Sequence, residues 1–159
     1  MSLRKTAISI FFVSLLLGNS ALSATSISVE NPWSPEAPPV AKVMAGYMKI
    51  NNLSNKDVKI KTSKSDLFKI VEIHRTEMKD GMMRMVKQED LKIKAKGHIE
   101  LKPGGLHMML MGKLKPVKSG SMIPVTLTFD NAEIININLK VKNDNQPQMK
   151  CGSGKCGSM

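Results

Sequence analysis

From Ser26 to Lys142 apolar and polar side chains alternate in short runs, with Gly, Asn, Asp or Pro interrupting about every ten residues. A period of two belongs to a strand with one face buried, so this stretch is predicted to be all-β. The expected strands cover residues 27–30, 45–51, 58–62, 69–78, 82–87, 91–96, 99–101, 107–111, 123–129 and 133–141. Only residues 63–68 suggest a helical turn. Pro32, Pro35, Pro38 and Pro39 make residues 31–40 an irregular lead-in, and Asp130-Asn131 is a turn between the last two strands. So many short strands joined by hairpin-length connections predict a small Greek-key β-sandwich or barrel, its inner faces built from the alternating residues.

The two ends of the chain do not follow this pattern. Arg4 and Lys5 precede an uncharged apolar stretch, residues 7–18, and residues 19–24 end in small side chains. That is the three-part form of an export signal, expected to occupy residues 1–24 and to be cut after Ser23 or Ala24. Its apolar run is too short to span a bilayer, where about 20 residues are needed, and no comparable run follows. A lipoprotein signal would need a Cys at the cut, and there is none. The exported form is expected in the periplasm, soluble and not membrane-spanning. Beyond Lys142 the composition turns polar, then rich in Gly and Ser, so residues 143–159 form a flexible tail outside the domain of residues 25–142.

The chain is basic, with 24 Lys and Arg against 13 Asp and Glu. Removing the signal takes away two of those positive charges and no negative ones. The lysines are spread along strands, as at Lys92, Lys94 and Lys96, and aromatics make up only 4% of the residues. Export, dispersed charge and few stacking side chains argue against a nucleic-acid partner. The only cysteines, Cys151 and Cys156, lie in the tail, so no disulfide framework spans the core. Methionine is the unusual component, at 13 residues.

Two strand-borne units place soft ligands together. If Asp80-Gly81 is a two-residue hairpin turn, cross-strand partners have numbers summing to 161, so Thr76 faces Met85, Met78 faces Met83 and His74 faces Lys87. His74 and Met85 are then diagonal neighbours on one face. A four-residue loop keeps that register, whereas a three-residue loop without a bulge would separate them. In the segment from Lys102 to Met111, His107, Met109 and Met111 project to one side, Met108 and Leu110 to the other. The turn at Pro103-Gly104-Gly105 puts His107 near a sheet rim. Core packing is the ordinary role of a β-sheet methionine and is expected of Met48, Met108 and Met122. Met78, Met82, Met83 and Met111 are left open between core, an outer ring of soft ligands and neither, while His98 reads as an exposed loop residue.

Thioether sulfur is a soft, neutral, weak donor that selects Cu(I), and imidazole is compatible with it. Zinc normally takes thiolate or carboxylate beside His, and calcium takes an oxygen cage. A blue-copper electron carrier needs a Cys among its ligands, and this cluster has none.

His74, Met85, His107 and Met109 are spaced as H-x10-M-x21-H-x-M, residue for residue the signature of the PCu(A)C family of periplasmic copper chaperones. Asn31-Pro32-Trp33, Ala45-Gly46-Tyr47-Met48 and the run from Leu101 to Leu110 also resemble that family, so the likeness covers about residues 26–142. The resemblance implies a cupredoxin-like β-barrel and Cu(I) held by His74, Met85, His107 and Met109. It further implies delivery to an acceptor protein, the binuclear copper centre of a cytochrome c oxidase subunit or another copper chaperone. Some members carry Met-, His- or Cys-containing tails. Here Cys151 and Cys156, with Met149 and Met159 outside them, could bind a second Cu(I) when reduced or close a small disulfide when oxidised.

Two other functions fit parts of the sequence. The same site could buffer copper as a resistance protein, or the tail cysteines could act as a thiol-disulfide reductase. The C-x4-C spacing in a Gly-rich tail argues against the latter, since redox pairs are usually C-x-x-C at a helix start. A non-enzymatic carrier is the expectation.

Overall fold

The computed structural model describes residues 25–143. The expected signal, residues 1–24, and the tail residues Met149, Cys151, Cys156 and Met159 lie outside the described residues. Ten strands follow in chain order: β1 Ile27–Pro35, β2 Val43–Asn52, β3 Val58–Lys64, β4 Phe68–Lys79, β5 Met82–Lys87, β6 Lys92–Ile93, β7 His98–Leu101, β8 Leu106–Lys113, β9 Met122–Phe129 and β10 Ile134–Lys142. No helix occurs among the described residues.

The strands form one sheet in the order β5-β4-β8-β7-β2-β1-β10-β9-β3-β6, with β8 also pairing β2. Sequential hairpins alternate with crossovers, and β1 runs parallel to β10 with Trp33 beside Lys140. The inward residues of the central strands, among them Met44, Met48, Ile50, Met108, Leu110, Ile123, Leu127, Phe129 and Leu139, belong to a single core. A continuous sheet can share one core only by curling around it, which gives the cupredoxin-like Greek-key β-sandwich. Gly46 lies at a tight point of that packing, because a Cβ there would meet Leu139 Cδ1 at 3.0 Å and Met108 Cβ at 3.3 Å.

Several local expectations change. The chain turns tightly at residues 65–68, closed by a β-bridge between Ser65 and Phe68 instead of a helical turn. β1 continues through the proline-rich segment to Pro35. Asn31 adopts φ 49° and the register shifts between Glu30 and Trp33, so Pro32 sits in a bulge where its missing N–H costs no ladder bond. The strand expected at residues 91–96 shrinks to Lys92–Ile93, which pairs only with Val58 and Lys59. Met48 and Met108 are core residues as expected, but Met122 is exposed: Ile123, Val125, Leu127 and Phe129 take the inward parity of β9. His98 is exposed yet opens β7, opposite Asn51.

Glu133 ties the start of the domain to its final hairpin. Its carboxylate accepts hydrogen bonds from the Ser26 hydroxyl, the Ile27 N–H at 3.1 Å and the Asn131 amide at 3.2 Å. Burial alone would raise its pKa, but these donors outweigh it and hold the group below its ordinary value of 4.5. A carboxylate with a depressed folded-state pKa stabilises fully above its unfolded value and loses that contribution as pH falls through the folded one. Glu133→Ala is expected to lower stability by about 1 to 2 kcal/mol at neutral pH, given charge-assisted bonds at a partly exposed site. Denaturant titrations of parent and variant should converge as the pH drops well below 4.5.

Candidate metal centre

Asp80 and Gly81 have φ of 54° and 73°, the left-handed pair of a two-residue type I′ turn. The turn fixes the hairpin register, pairing Thr76 with Met85, Met78 with Met83 and His74 with Lys87. On its other side β4 pairs with β8, which sets His74 directly opposite His107 and Glu72 opposite Met109. Met109 lies in turn beside Ala45 of β2.

Parity then decides which way these side chains face. Val71 and Ile73 of β4, and Met108 and Leu110 of β8, are buried in the core. Glu72, His74, His107 and Met109 therefore project from the opposite, outward face of the sheet. Met85 shares that face through its pairing with Thr76. Tyr47, two residues on from Ala45, belongs to the outward face as well and packs against Trp33 with ring centroids 4.9 Å apart.

The two imidazoles are close, with ring centroids 6.3 Å apart. Two imidazoles bound to one ion through metal–nitrogen bonds of about 2 Å keep their ring centres roughly 5 to 6 Å apart, so the observed spacing lies slightly beyond that range. Each ring has one nitrogen engaged. His74 Nε2 lies 2.9 Å from Glu72 Oε2, and His107 Nδ1 lies 3.0 Å from the Gly105 carbonyl. An ionised carboxylate and a carbonyl can only accept, so those nitrogens carry the protons and donate. The lone pairs of the neutral rings are left on His74 Nδ1 and His107 Nε2. These are the buried side-chain nitrogens without a hydrogen-bond partner among the described residues.

The surroundings hold both rings in these tautomers. Glu72 is bridged to Lys87 Nζ at 3.1 Å. The hydrogen bonds from His74 and then Lys87 keep its carboxyl below the ordinary range and hence ionised. The Gly105 carbonyl is aimed by a turn in which the Gly105 N–H donates to Lys102 O at 3.1 Å, with Gly104 at φ 76°. Pro103 followed by a left-handed glycine is the sequence form of a type II turn. The same carbonyl accepts from Thr76 N–H at 3.1 Å, locking the start of β8 to β4.

The four residues singled out from the sequence are thus not equivalent in exposure. His107 is only 6% exposed, which corrects its expected place at an accessible rim, and Met109 is half-buried. Met85 is 56% exposed and lies where β4 has already parted from β8. His98 is in another part of the sheet. Sequence reasoning missed Glu72, Lys87 and the Gly105 carbonyl. Glu72 had a usable signal, since it shares the parity of His74 two residues away, and Lys87 already faced His74 in the hairpin register. Among the described residues, no group of three or more His, Cys, Asp and Glu could hold a metal ion.

A family model described as "Putative lipoprotein LpqE-like" matches residues 27–141. Uncharacterized protein RP573 of Rickettsia prowazekii (strain Madrid E) is 32% identical over 110 residues, 69% of this chain; the chain spans 60% of the length of RP573. Among solved structures, the Cu(I) form of DR1885 from Deinococcus radiodurans is 26% identical with a TM-score of 0.56, covering 83% of this chain and 87% of DR1885. The copper-bound PCuAC domain from PmoF2 superposes with a TM-score of 0.63 at 21% identity, covering 74% of this chain and 92% of that domain. The chain belongs to the LpqE-like family, and its β domain shares the fold of the PCuAC domain from PmoF2.

Proposed function

We propose that this chain carries Cu(I) outside the inner membrane, holding it with His74, Met85, His107 and Met109 and passing it to an acceptor protein. The observation that carries the reading is the pair of buried, unpartnered lone-pair nitrogens on His74 and His107, facing outward with Met109 on the adjacent rung. The Cu(I) form of DR1885, similar in sequence and fold, supports the choice of ion. Two neutral imidazoles and two thioethers add no negative charge, so they suit a soft monovalent cation and bind it weakly enough for ligand exchange. The binuclear copper centre of a cytochrome c oxidase subunit is the acceptor proposed, another copper chaperone being the alternative.

Export to the periplasm rests on the leader-like sequence of residues 1–24. The family description speaks of a lipoprotein, which is in keeping with export. Among the described residues no helix is long and apolar enough to cross a membrane.

Anaerobic Cu(I) titration should give one tightly held ion in a chain with both tail cysteines changed to Ser. His107→Ala should lower the affinity by more than the roughly 100-fold upper end for outer-shell partners. Circular dichroism should stay that of a β-sheet protein, because the ring faces away from the core. An unchanged affinity would remove the assignment. X-ray absorption should count sulfur and nitrogen around the ion in equal numbers.

Glu72 acts through His74. Glu72→Gln removes the charged acceptor that fixes Nε2–H and leaves Nδ1 free, so Cu(I) affinity should fall by about 10- to 100-fold. The ligand count by X-ray absorption should not change. Equal affinity in parent and variant would show that the carboxylate does not orient the ring.

For the tail, we propose that reduced Cys151 and Cys156 bind a further Cu(I) with Met149 or Met159. Thiolates outcompete thioethers, so the tail would capture copper and release it only when an external oxidant, a partner protein's disulfide that is itself reduced to two thiols, takes the two electrons as Cys151 and Cys156 close their own disulfide. Changing both cysteines to Ser should then reduce the copper stoichiometry by one under strictly reducing conditions. An undiminished stoichiometry would assign the tail no metal.

A further inference from the structure

The pairing of β4 with β8 ends at Arg75 and Leu106, whereas the pairing of β4 with β5 continues to Lys79 and Met82. Beyond the last tie, Thr76 N–H to the Gly105 carbonyl at 3.1 Å, the two strands form an arm that projects from the sheet with Met85 at its base. Every residue of β5 is exposed. The arm carries Met78, Met82, Met83 and Met85 at 68%, 56%, 68% and 56% exposure. None of these side chains reaches a core, so burial does not explain them. A bare hairpin gains little stability from apolar groups left in water.

Their arrangement is ordered. Met78 and Met83 are direct cross-strand partners. Lys79 and Met82 flank the two-residue turn as its hydrogen-bonded pair, so Met78 and Met83 form the next, non-hydrogen-bonded pair, the kind with the closer side chains. Their Cβ atoms are about 4.5 to 5.5 Å apart. With metal–sulfur bonds of about 2.3 Å, a two-coordinate ion needs sulfurs roughly 4.6 Å apart, a span two flexible thioethers on adjacent strands can close. By parity Met78 and Met83 share the outward face with Met85 and His74, and Met85 is one rung away, about 7 Å along the strand. Met82 falls on the opposite face with Lys79 and Arg84.

We propose that Met78 and Met83 form an outer all-thioether Cu(I) site at the tip of the arm, from which the ion passes through Met85 to the His74 and His107 nitrogens, and back along the same route on release. This deepens the copper-carrier reading and rests on it. The outer pair is exposed, so it can meet a donor or acceptor that the buried His107 and half-buried Met109 cannot touch. Met85 belongs to both sites, which lets the ion change ligands one at a time without being set free. The transfer is ligand exchange only, with no change of oxidation state and no covalent bond made.

The test uses Ag(I) as an air-stable, redox-inert probe and the full chain with Cys151→Ser and Cys156→Ser, its methionine methyl groups labelled with 13C. The first equivalent of Ag(I) should shift the methyl resonances of Met85 and Met109, and the second those of Met78 and Met83 together, while Met82 stays in place. Met78→Leu, which conserves volume and apolarity, should abolish the shift of Met83 and reduce the stoichiometry from two to one. In a His74→Ala, His107→Ala chain, Met78 and Met83 should still respond. If Met85 and Met109 move but Met78 and Met83 stay fixed at large excess, the outer site is wrong and the carrier reading stands. If Met82 shifts in step with them, silver is coating exposed thioethers and the outer site is again wrong. If no methionine responds, both readings fail.

Discussion

The direct pairing of His74 with His107 across β4 and β8 is the constraint on which the rest depends. Moving either strand by one residue would turn one imidazole into the core and bring Ile73 or Met108 out in its place. The core therefore enforces the register that the site requires: Val71, Ile73, Met108 and Leu110 can all be buried only when His74 and His107 face outward together. A one-residue slip of β4 alone would exchange buried Val71 and Ile73 for Glu72 and His74, at a cost above that of any single hydrogen bond in the site. Hydrophobic burial, not a hydrogen bond in the site, sets the geometry of the outward side.

A second constraint acts on the nitrogens themselves. An imidazole has two, and a ring free to choose its tautomer can offer either. Here Glu72 and the Gly105 carbonyl, both acceptors, each claim one N–H, leaving His74 Nδ1 and His107 Nε2 as the available lone pairs. Leaving two neighbouring buried acceptors unpaired costs about 1 to 3 kcal/mol each. On the copper reading that cost is offset by the bound ion, and the site is most strained when empty. Lys87 completes the arrangement by keeping Glu72 ionised, so a salt bridge on the hairpin's outward face reaches the tautomer of His74.

Most of this was legible before any coordinates because strands obey parity and a two-residue turn fixes register. Asp80-Gly81 was enough to place Thr76 opposite Met85 and Met78 opposite Met83, and the alternation after Leu106 separated His107 and Met109 from Met108 and Leu110. What was not legible depends on partners distant in sequence. The exposure of His107 is decided by what lies over it, not by its place after a turn. Residues 31–35 were hidden by two prolines, which argue locally against a strand; the bulge at Asn31 and the parallel ladder to β10 accommodate them. Met122 is different, since the inward series Ile123, Val125, Leu127 and Phe129 already showed the parity that leaves it outside. Glu72 escaped notice because a glutamate on a strand becomes significant only when a histidine two residues on and a lysine across the hairpin converge on it.

The contrast between the two halves of β4 bears on transfer. From Phe68 to Arg75 the strand is paired with β8, and its inward side chains lie in the core; beyond Thr76, whose N–H is still tied to the Gly105 carbonyl, it has β5 alone. Positions held on both sides keep a ligand in place, whereas positions on a two-stranded arm allow it to bend and turn. His74 and His107 lie in the held part and Met85 at the base of the free part, one rung beyond. A site with all ligands in the rigid sheet would be selective but closed to exchange, and one entirely on the arm would be open but poorly organised. On the copper reading, placing the boundary beside Met85 would give fixed nitrogens that choose the ion and an exposed thioether that can release it, the division expected of a protein that must bind a metal and also give it away.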